Sequence, residues 1–384
     1  MQTTTQTYEK HNSFQELCIT VGRTSIQEQT KRAITTLQDV AGSCPVNWTK
    51  VLKQVCKDLE DPLSSVESFR ITPFVADEMN LLSDDELPRF LFHRYRYEVF
   101  PNAYLLDDYP PYLQIEPSSI CNYRCVFCYQ TDESFSKKKS GHMGSMGLDL
   151  YKKIVDEAEG NIEFLSLASR GEPLICRDFK AMMEYSIGKF LNLKINTNAS
   201  LMTENLCHAL LCGGTRTIVF SADAAEEPLY SKLRVNGKLD RVLKNIERFQ
   251  KIRETQYPQT QLITRVSGVM FDQEKQNMES MQRLWGGLVD QVSFVKYNPW
   301  ENIYDTKPNG IKTPCSDLWR RMFVWYDGTV NPCDSDYRST LQVGNIAKSS
   351  IDKLWGGISY QRLRNDHHHG RRSQTEPCRR CTVV

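Results

Sequence analysis

The sequence lacks the features that would direct a chain into or across a membrane. We find no apolar run long enough to span a bilayer, and residues 1–13 do not show the charged-then-apolar order of a signal peptide. The net charge is only +1, so nothing in the balance favours nucleic acid or an anionic membrane as a partner. We therefore expect a cytoplasmic protein without nucleic-acid or membrane partners.

Cysteine is abundant, with 13 in 384 residues. Disulfides explain them poorly in a chain with no export signal, so metal binding or catalysis is the better expectation. The first group, in the run CNYRCVFC, is Cys121, Cys125 and Cys128. The second group, near the C-terminus, is Cys315, Cys333, Cys378 and Cys381. We expect the remaining six to be small buried hydrophobes: Cys18, Cys44, Cys56, Cys176, Cys207 and Cys212.

The chain divides into three regions that differ in the spacing of their apolar residues. Residues 1–110 carry apolar stripes at helical spacing and predict a helical N-terminal extension. Residues 111–298 alternate short apolar runs with amphipathic helices such as 148–158 and 239–252. Residues 299–384 predict a small domain with a hairpin turn at Asp327-Gly328 and a metal that stabilises it.

The middle region predicts an α/β fold class with a parallel sheet. The six candidate strands are 113–116, 163–168, 193–197, 217–221, 262–269 and 291–295. Strands that alternate with helices pair in parallel through right-handed crossovers. The region is shorter than the ~250 residues of an eight-fold barrel, so we predict a partial (β/α)6 TIM-type barrel with its active site at the carboxyl ends of the strands.

Three thiols in one loop predict an incomplete metal coordination sphere. A structural zinc site takes four protein ligands. A [4Fe–4S] cluster held by three thiolates keeps its fourth iron open to another molecule. Zinc with a fourth ligand from elsewhere, such as His142, is the alternative. The loop follows the first strand of the predicted barrel, so an open iron would lie at the barrel mouth.

The C-x3-C-x2-C spacing, with Phe127 before the last cysteine, resembles the signature of radical S-adenosylmethionine (SAM) enzymes. The resemblance implies that the three cysteines hold a SAM-binding [4Fe–4S] cluster. Gly171-Glu172-Pro173 follows the second strand and is similar to the Gly-Gly-Glu-Pro motif that grips the methionine amino group. Ser169 and Arg170 depart from that motif, which has glycine before Gly171.

Three further runs resemble the family at strand ends. Asn198 ends the third strand like a Thr-Thr-Asn-Gly run, although Ala199 replaces its glycine. Ser221 and Asp223 are similar to the Ser-x-Asp that serves the SAM ribose and carboxylate. Arg234 matches an arginine that pairs with the SAM carboxylate. By resemblance, these residues and Phe127 are expected to bind SAM.

The second cysteine group looks like a shortened SPASM domain, the twitch form. The likeness implies one auxiliary [4Fe–4S] cluster held by Cys315, Cys333, Cys378 and Cys381, with all four irons ligated. Zinc on these four thiols is the alternative.

The resemblance implies reductive cleavage of SAM to a 5′-deoxyadenosyl radical, which takes a hydrogen atom from a substrate. The electron would come from a flavodoxin- or ferredoxin-type donor. Transfer of a second electron to the auxiliary cluster would give dehydrogenation. A thiol that returns a hydrogen atom would give epimerisation, and Cys176 is the candidate donor, with a packed core thiol as the other interpretation.

The expected substrate is a carbohydrate or an aminocyclitol-type small molecule. The run YPPYLQIEPSSICNYRCVFCYQTD resembles members found with surface-saccharide biosynthesis. A peptide or protein side chain is the alternative, less favoured because such members often begin with a β-rich module. A non-enzymatic, metal-stabilised binding scaffold is the third hypothesis.

Overall fold

A computed structural model of the chain describes residues 6–10, 16–18, 24–40, 44–61 and 68–384. The strands of these residues are β1 (Gln6–Lys10), β2 (Glu16–Cys18), β3 (Tyr112–Ile115), β4 (Arg124–Cys125), β5 (Phe164–Leu167), β6 (Asn192–Thr197), β7 (Thr215–Ser221), β8 (Arg234–Val235), β9 (Ile263–Met270), β10 (Gln291–Lys296), β11 (Arg321–Val324), β12 (Thr329–Asn331) and β13 (Gly344–Asn345). Their α-helices are α1 (Ile26–Asp39), α2 (Val46–Glu60), α3 (Pro73–Met79), α4 (Leu87–Glu98), α5 (Glu133–Ser136), α6 (Leu148–Ala158), α7 (Phe179–Tyr185), α8 (Glu204–Cys212), α9 (Leu229–Leu233), α10 (Leu239–Gln256), α11 (Met278–Gly286), α12 (Asp317–Arg320), α13 (Ile351–Trp355) and α14 (Ile358–His368).

One sheet organises the described residues, in the order β13-β12-β11-β3-β5-β6-β7-β9-β10-β1-β2. Its six central strands, from β3 to β10, pair in parallel and are the six predicted from sequence. Helices α6 to α11 lie between them along the chain. The predicted α/β fold with a parallel sheet is therefore confirmed.

The two faces of this sheet differ in polarity. Ile115, Leu167, Ile195 and Ile218 are register partners across four strands, and each is fully buried in the main core. The next row on the opposite face is polar: Gln114, Ser166, Lys194 and Thr217. The apolar rows pack with the helices, and the polar rows leave the inner face of the barrel suited to polar ligands.

The N-terminal helices pack at the amino ends of the barrel strands. Their apolar residues form a second core that includes Phe164 and Leu191, at the starts of β5 and β6. The His93 ring stacks on Phe164 with centroids 3.6 Å apart. Arg89 donates two hydrogen bonds to Glu163, at 2.8 and 2.6 Å. These contacts fix the helices to the end of the barrel opposite the predicted active site.

Two short strands stand in the region that the sequence predicts as helical. β1 pairs in parallel with β10, and β2 pairs antiparallel with β1. The partner of β1 lies some 280 positions away along the chain (Gln6 with Gln291). A local apolar pattern cannot reveal such pairing, which depends on the free edge of β10.

The C-terminal region joins the other edge of the sheet. β11 pairs in parallel with β3, and β12 and β13 continue antiparallel from it. The predicted turn at Asp327-Gly328 connects β11 to β12, and Gly328 has a φ of +83°, which favours glycine. The C-terminal domain is thus continuous with the strand that leads into the first cysteine group.

The described residues include no helix of sufficient length and apolarity to traverse a bilayer.

A cavity of about 410 Å³ lies at the amino ends of the barrel strands. The first residues of β3, β5 and β6 line it, together with residues of α3, α4 and α12. The cysteine loop follows the carboxyl end of β3, so this cavity is separate from the predicted SAM site.

Candidate functional site

The first three cysteines lie in a tight loop after β3. Cys125 is buried in the short strand β4, which pairs with β8 so that Cys125 faces Arg234. The Cys128 amide donates to the Cys125 carbonyl at 3.0 Å and closes the turn. The spacing C-x3-C-x2-C therefore folds into one turn anchored by a second strand.

Each of the three sulfurs accepts a hydrogen bond. The amides of Tyr123 and Gln130 donate to the Sγ atoms of Cys121 and Cys128 at 3.4 and 3.5 Å. Arg234 Nη1 lies 3.8 Å from Cys125 Sγ. Donors of this kind stabilise thiolates, the form that binds iron.

The three thiols are electrostatic neighbours. Burial, followed by the nearby Glu172 carboxylate, raises the pKa of Cys121 to about 12. Burial and the charges of Cys125 and Cys121 raise the pKa of Cys128. A metal must therefore displace these protons, as it does at thiolate sites in general. Within the described ranges, no three His, Cys, Asp or Glu side chains are already grouped as around a single metal ion.

Gly171 packs directly against the segment that leads into the cysteine loop. A Cβ at Gly171 would meet backbone atoms of Ser118, Ser119 and Ile120 at 2.4–2.6 Å, so only glycine fits. The Glu172 amide donates to the Ile120 carbonyl at 2.9 Å. The loop after β5 thereby holds Glu172 beside the cysteines.

Glu172 is almost fully buried and accepts three hydrogen bonds. They come from the Thr197 hydroxyl at 2.6 Å, the Asn198 amide at 2.8 Å and the Leu174 amide at 3.2 Å. Burial nevertheless raises the pKa of Glu172 to about 7. A cationic group bound here would favour its ionised form.

Asn198 joins the end of β6 to the cysteine loop. Its side-chain amide donates to Asn122 Oδ1 at 2.9 Å, and Asn122 donates to Ser200 Oγ at 2.8 Å. Ala199, where the family has glycine, has a φ of +58°, in the left-handed region that favours glycine. The turn therefore places Ala199 in a conformation that glycine adopts at lower cost.

Asp223 and Arg234 pair with each other. Asp223 Oδ2 lies 2.5 Å from Arg234 Nε, and Oδ1 accepts from the Val269 amide at 2.6 Å. Burial raises the pKa of Asp223 although Arg234 opposes it. Ser221 ends β7 two residues before Asp223 and is half-buried. The Arg234 guanidinium lies 5.9 Å from the centre of the Phe127 ring. Asp223, Arg234 and Phe127 therefore lie together beside Cys125.

Cys176 lies in the main core. It is 5% exposed and its thiol donates to the Met146 carbonyl at 3.5 Å. Cys176 thus lies in the core between the short turn 173–175 and α7, away from the cysteine loop.

The four C-terminal cysteines are also electrostatic neighbours. Burial is the main cause that raises the pKa of Cys333. The charges of four neighbours raise it further: Asp336, Cys378, Cys381 and Cys315. The Cys381 amide donates to the Cys378 carbonyl at 3.3 Å, which forms the C-x2-C turn. Cys381 is buried and the other three cysteines are partly exposed. As thiolates, these four side chains would be a donor set that fits a fully ligated [4Fe–4S] cluster.

Sequence reasoning missed the residues that support these loops. His367 accepts a hydrogen bond from the Cys315 amide at 3.1 Å, and burial lowers the pKa of this histidine to about 4. Arg372 donates to the carbonyls of Cys378 and Cys381 at 3.2 and 2.7 Å. Asn122, inside the cysteine motif, was detectable in principle by its polarity beside Cys121. Arg372 carries no local signal. The run of three histidines that begins at His367 is visible in the sequence as a possible metal binder or a mobile loop, but it does not show that His367 alone is buried.

Two family sequence models match the chain. The model of the radical SAM superfamily matches residues 115–264. The model of the SPASM iron–sulfur cluster-binding domain matches residues 315–382. Both matches fall on the regions that hold the two cysteine groups.

Curated proteins give partial matches. The chain is 31% identical over 114 residues to a tungsten-containing aldehyde ferredoxin oxidoreductase cofactor-modifying protein of Pyrococcus furiosus, a match that covers 29% of this chain and 30% of that protein. It is 22% identical over 278 residues to an S-adenosyl-L-methionine-dependent 2-deoxy-scyllo-inosamine dehydrogenase of Niallia circulans, across 71% of this chain and 92% of that protein. The chain spans about a third of the first relative.

Among solved structures, Streptococcus suis SuiB bound to precursor peptide SuiA is similar in fold. The TM-score is 0.53 at 16% identity, and the match covers 94% of this chain and 89% of that one.

Proposed function

Because the chain belongs to the radical SAM superfamily and carries a SPASM-type iron–sulfur domain, we propose that it abstracts a hydrogen atom from a carbohydrate or aminocyclitol-type substrate. The net reaction is dehydrogenation or epimerisation. Its cofactors are a SAM-binding [4Fe–4S] cluster, an auxiliary [4Fe–4S] cluster and SAM. Together they supply one-electron cleavage of the S–C5′ bond of SAM and a radical that removes the hydrogen atom.

The observation that supports this proposal most is the convergence of three strand ends on one cysteine loop. Gly171 and Glu172 follow β5, Asn198 follows β6, and Asp223 follows β7. The carboxyl ends of parallel strands in a barrel meet at one face, where active sites form. Hydrogen bonds, an ion pair and backbone contacts join these residues to the cysteine loop or to Arg234 beside it.

Each residue has a distinct proposed role. Cys121, Cys125 and Cys128 hold the SAM-binding cluster, and Glu172 accepts hydrogen bonds from the amino group of SAM. Arg234 pairs with the SAM carboxylate, and Asp223 and Ser221 serve the ribose side. The four C-terminal cysteines, Cys315, Cys333, Cys378 and Cys381, hold the auxiliary cluster.

The Arg234–Asp223 ion pair implies an exchange of partners when SAM binds. Both side chains are buried, with exposures of 5% and 0%. A carboxylate that takes part of the Arg234 guanidinium must leave Asp223 a new partner, and the ribose hydroxyls provide one. Both buried side chains would therefore have hydrogen-bond partners with and without SAM.

The small-molecule substrate class draws support from the aminocyclitol dehydrogenase of Niallia circulans, which this chain matches along 92% of that protein's length. A peptide substrate is the second candidate. The fold similarity to SuiB supports this candidate. The strands β1 and β2 support it as well, because peptide-modifying members often begin with a β-rich module.

The packing of Cys176 favours dehydrogenation over epimerisation. Its thiol is buried in the core and donates to a backbone carbonyl. Dehydrogenation releases one electron and one proton from the substrate radical. The auxiliary cluster that Cys315, Cys333, Cys378 and Cys381 would hold would supply an acceptor for that electron, and solvent would take the proton. A flavodoxin- or ferredoxin-type protein is the proposed donor of the first electron.

Isotope transfer from candidate substrates tests the proposal. We expect 5′-deoxyadenosine to gain deuterium from a carbon-deuterated sugar or aminocyclitol, in an anaerobic reaction with reductant. If 5′-deoxyadenosine gained deuterium from a labelled peptide and from none of the small molecules, the substrate would be a peptide. Solvent deuterium in a carbon-bound position of the product would indicate epimerisation. A protein with zinc and no SAM affinity would support the binding scaffold instead.

A further inference from the structure

Arg170 stands where the resembling motif has glycine, two residues before Glu172. It is 2% exposed, and its carboxylate partner Glu116 is fully buried. Arg170 Nε and Nη2 donate to the two Glu116 oxygens at 2.7 and 2.6 Å, and the Arg170 amide donates to Oε2 at 3.1 Å. This bidentate pair joins the loop after β5 to the residue that follows β3.

The same guanidinium reaches the C-terminal domain. Arg170 Nη1 donates to the Tyr337 carbonyl at 2.9 Å, and the guanidinium lies 4.1 Å from the centre of the Trp325 ring. The Tyr326 amide donates to Glu116 Oε1 at 3.3 Å. One buried ion pair thus contacts three segments that lie far apart in sequence.

Aromatic stacking forms a second connection to Tyr337, beside the one that Arg170 makes. The ring of Tyr129, next to Cys128, stacks on Tyr337 with centroids 4.9 Å apart and an interplanar angle of 26°. The Tyr129 hydroxyl donates to the Ser169 carbonyl at 3.0 Å, and Gln130 donates to the Arg170 carbonyl. The first cysteine loop therefore contacts both Tyr337 and the loop that carries Glu172.

The Tyr337 segment is itself fixed to the second cysteine group. Asn331 donates to the carbonyls of Cys333 and Asp336 at 2.6 and 3.1 Å. Asp336 accepts from the Tyr304 hydroxyl at 2.6 Å and from the Leu341 amide at 2.7 Å. A displacement of Tyr337 would therefore be transmitted to Cys333.

We propose that Arg170 is a positioning residue that couples SAM binding, at the loop of Glu172, to the auxiliary-cluster domain through Glu116 and the Tyr337 carbonyl. The inference rests on the proposed function, because it takes Glu172 as a SAM contact. Two sites that bias one shared element are coupled reciprocally. SAM binding accordingly stabilises the segment from Cys333 to Leu341.

Arg170→Met alone would leave the Glu116 charge buried without a cationic partner and endanger folding. The test variant therefore combines Glu116→Gln with Arg170→Met. The matched control is Arg364→Met, since Arg364 is 4% exposed, lies 4.1 Å from the Trp355 ring centre and donates to two backbone carbonyls of the C-terminal domain. The control removes a buried, ring-stacked guanidinium outside the coupling.

Amide hydrogen exchange is measured on the anaerobic, cluster-loaded proteins with and without SAM and without reductant. We expect SAM to slow exchange in residues 333–341 of the wild-type protein and of the control, but not of the double variant. The Kd for SAM of the double variant should rise about tenfold, within the usual range of coupling between sites. Arg170→Lys should restore part of both effects.

SAM binding with equal protection of residues 333–341 in the wild-type protein and the double variant would overturn the coupling and leave the proposed function standing. SAM binding to the wild-type protein without any protection there would overturn it as well. A wild-type protein that does not bind SAM would overturn the proposed function and the coupling together.

Discussion

The pH dependence of SAM affinity tests the role of Glu172. This carboxyl is 2% exposed, and burial raises its pKa to about 7, against the opposing effect of the Asn198 amide and the Thr197 hydroxyl. About a tenth of the Glu172 side chains are ionised at pH 6 and about nine-tenths at pH 8. If SAM binds the ionised form, its Kd should tighten about tenfold between these pH values.

Glu172→Gln keeps the shape of the side chain and removes its titration. The titration of SAM itself is common to both proteins, so the difference between their pH profiles isolates Glu172. Calorimetric titration with SAM on anaerobic, cluster-loaded protein gives the two profiles. Equal pH dependence in the wild-type protein and the variant would show that the ionisation of Glu172 does not control SAM binding.

The same pKa has a consequence for folding stability. A folded-state pKa above the ordinary value of 4.5 means that the folded protein binds more protons than the unfolded chain between pH 4.5 and 7. Stability from this group is therefore present below pH 4.5 and is lost as pH rises through 7, by up to about 3 kcal/mol. Bound SAM should offset that loss, and its stabilisation should be largest at the alkaline end.

Three further predictions concern single residues. Gly171→Ala should reduce cluster loading, measured by iron content, because its Cβ meets backbone on every side, whereas Gly310→Ala, with open space around it, should not. Cys176→Ala should retain substrate oxidation in a product assay, since this thiol packs in the core; SAM cleavage without product would instead make Cys176 the hydrogen donor. Burial and the Arg372 charge lower the pKa of His367 to about 4. Between pH 4 and 6.5 the folded protein therefore binds fewer protons than the unfolded chain, and its free energy of unfolding falls as pH falls through this range. His367→Gln should therefore show a smaller fall in melting temperature between pH 7 and pH 5, and an unchanged fall would contradict the assignment.

The barrel was predictable because its signals are local. Each of the six strands lies within about two residues of its predicted bounds, and α6 matches residues 148–158. A buried parallel strand needs a short run of apolar residues, and an amphipathic helix needs apolar residues at helical spacing. Each element can therefore be predicted from its own residues. The pairing of β1 with β10 has no such local trace.

The same distinction applies to the site. The motif residues could be placed by their order at strand ends, and the structure brings them to one face. Arg170 was visible only as a departure from a motif, because its partners Glu116 and Tyr337 are 54 and 167 positions away. The left-handed φ of Ala199 shows why glycine is expected there, and a positive φ cannot be read from the alanine alone.

Iron content and SAM cleavage, measured anaerobically on wild-type protein and on the Cys121→Ala, Cys125→Ala, Cys128→Ala variant, separate a radical SAM enzyme from a metal-stabilised binding scaffold. We expect about eight irons and 5′-deoxyadenosine formation under dithionite for the wild-type protein, since each of two [4Fe–4S] clusters would contribute about four irons. The variant should keep about four irons and form no 5′-deoxyadenosine. A wild-type protein that holds zinc in place of iron, or a variant that still cleaves SAM, would contradict this expectation.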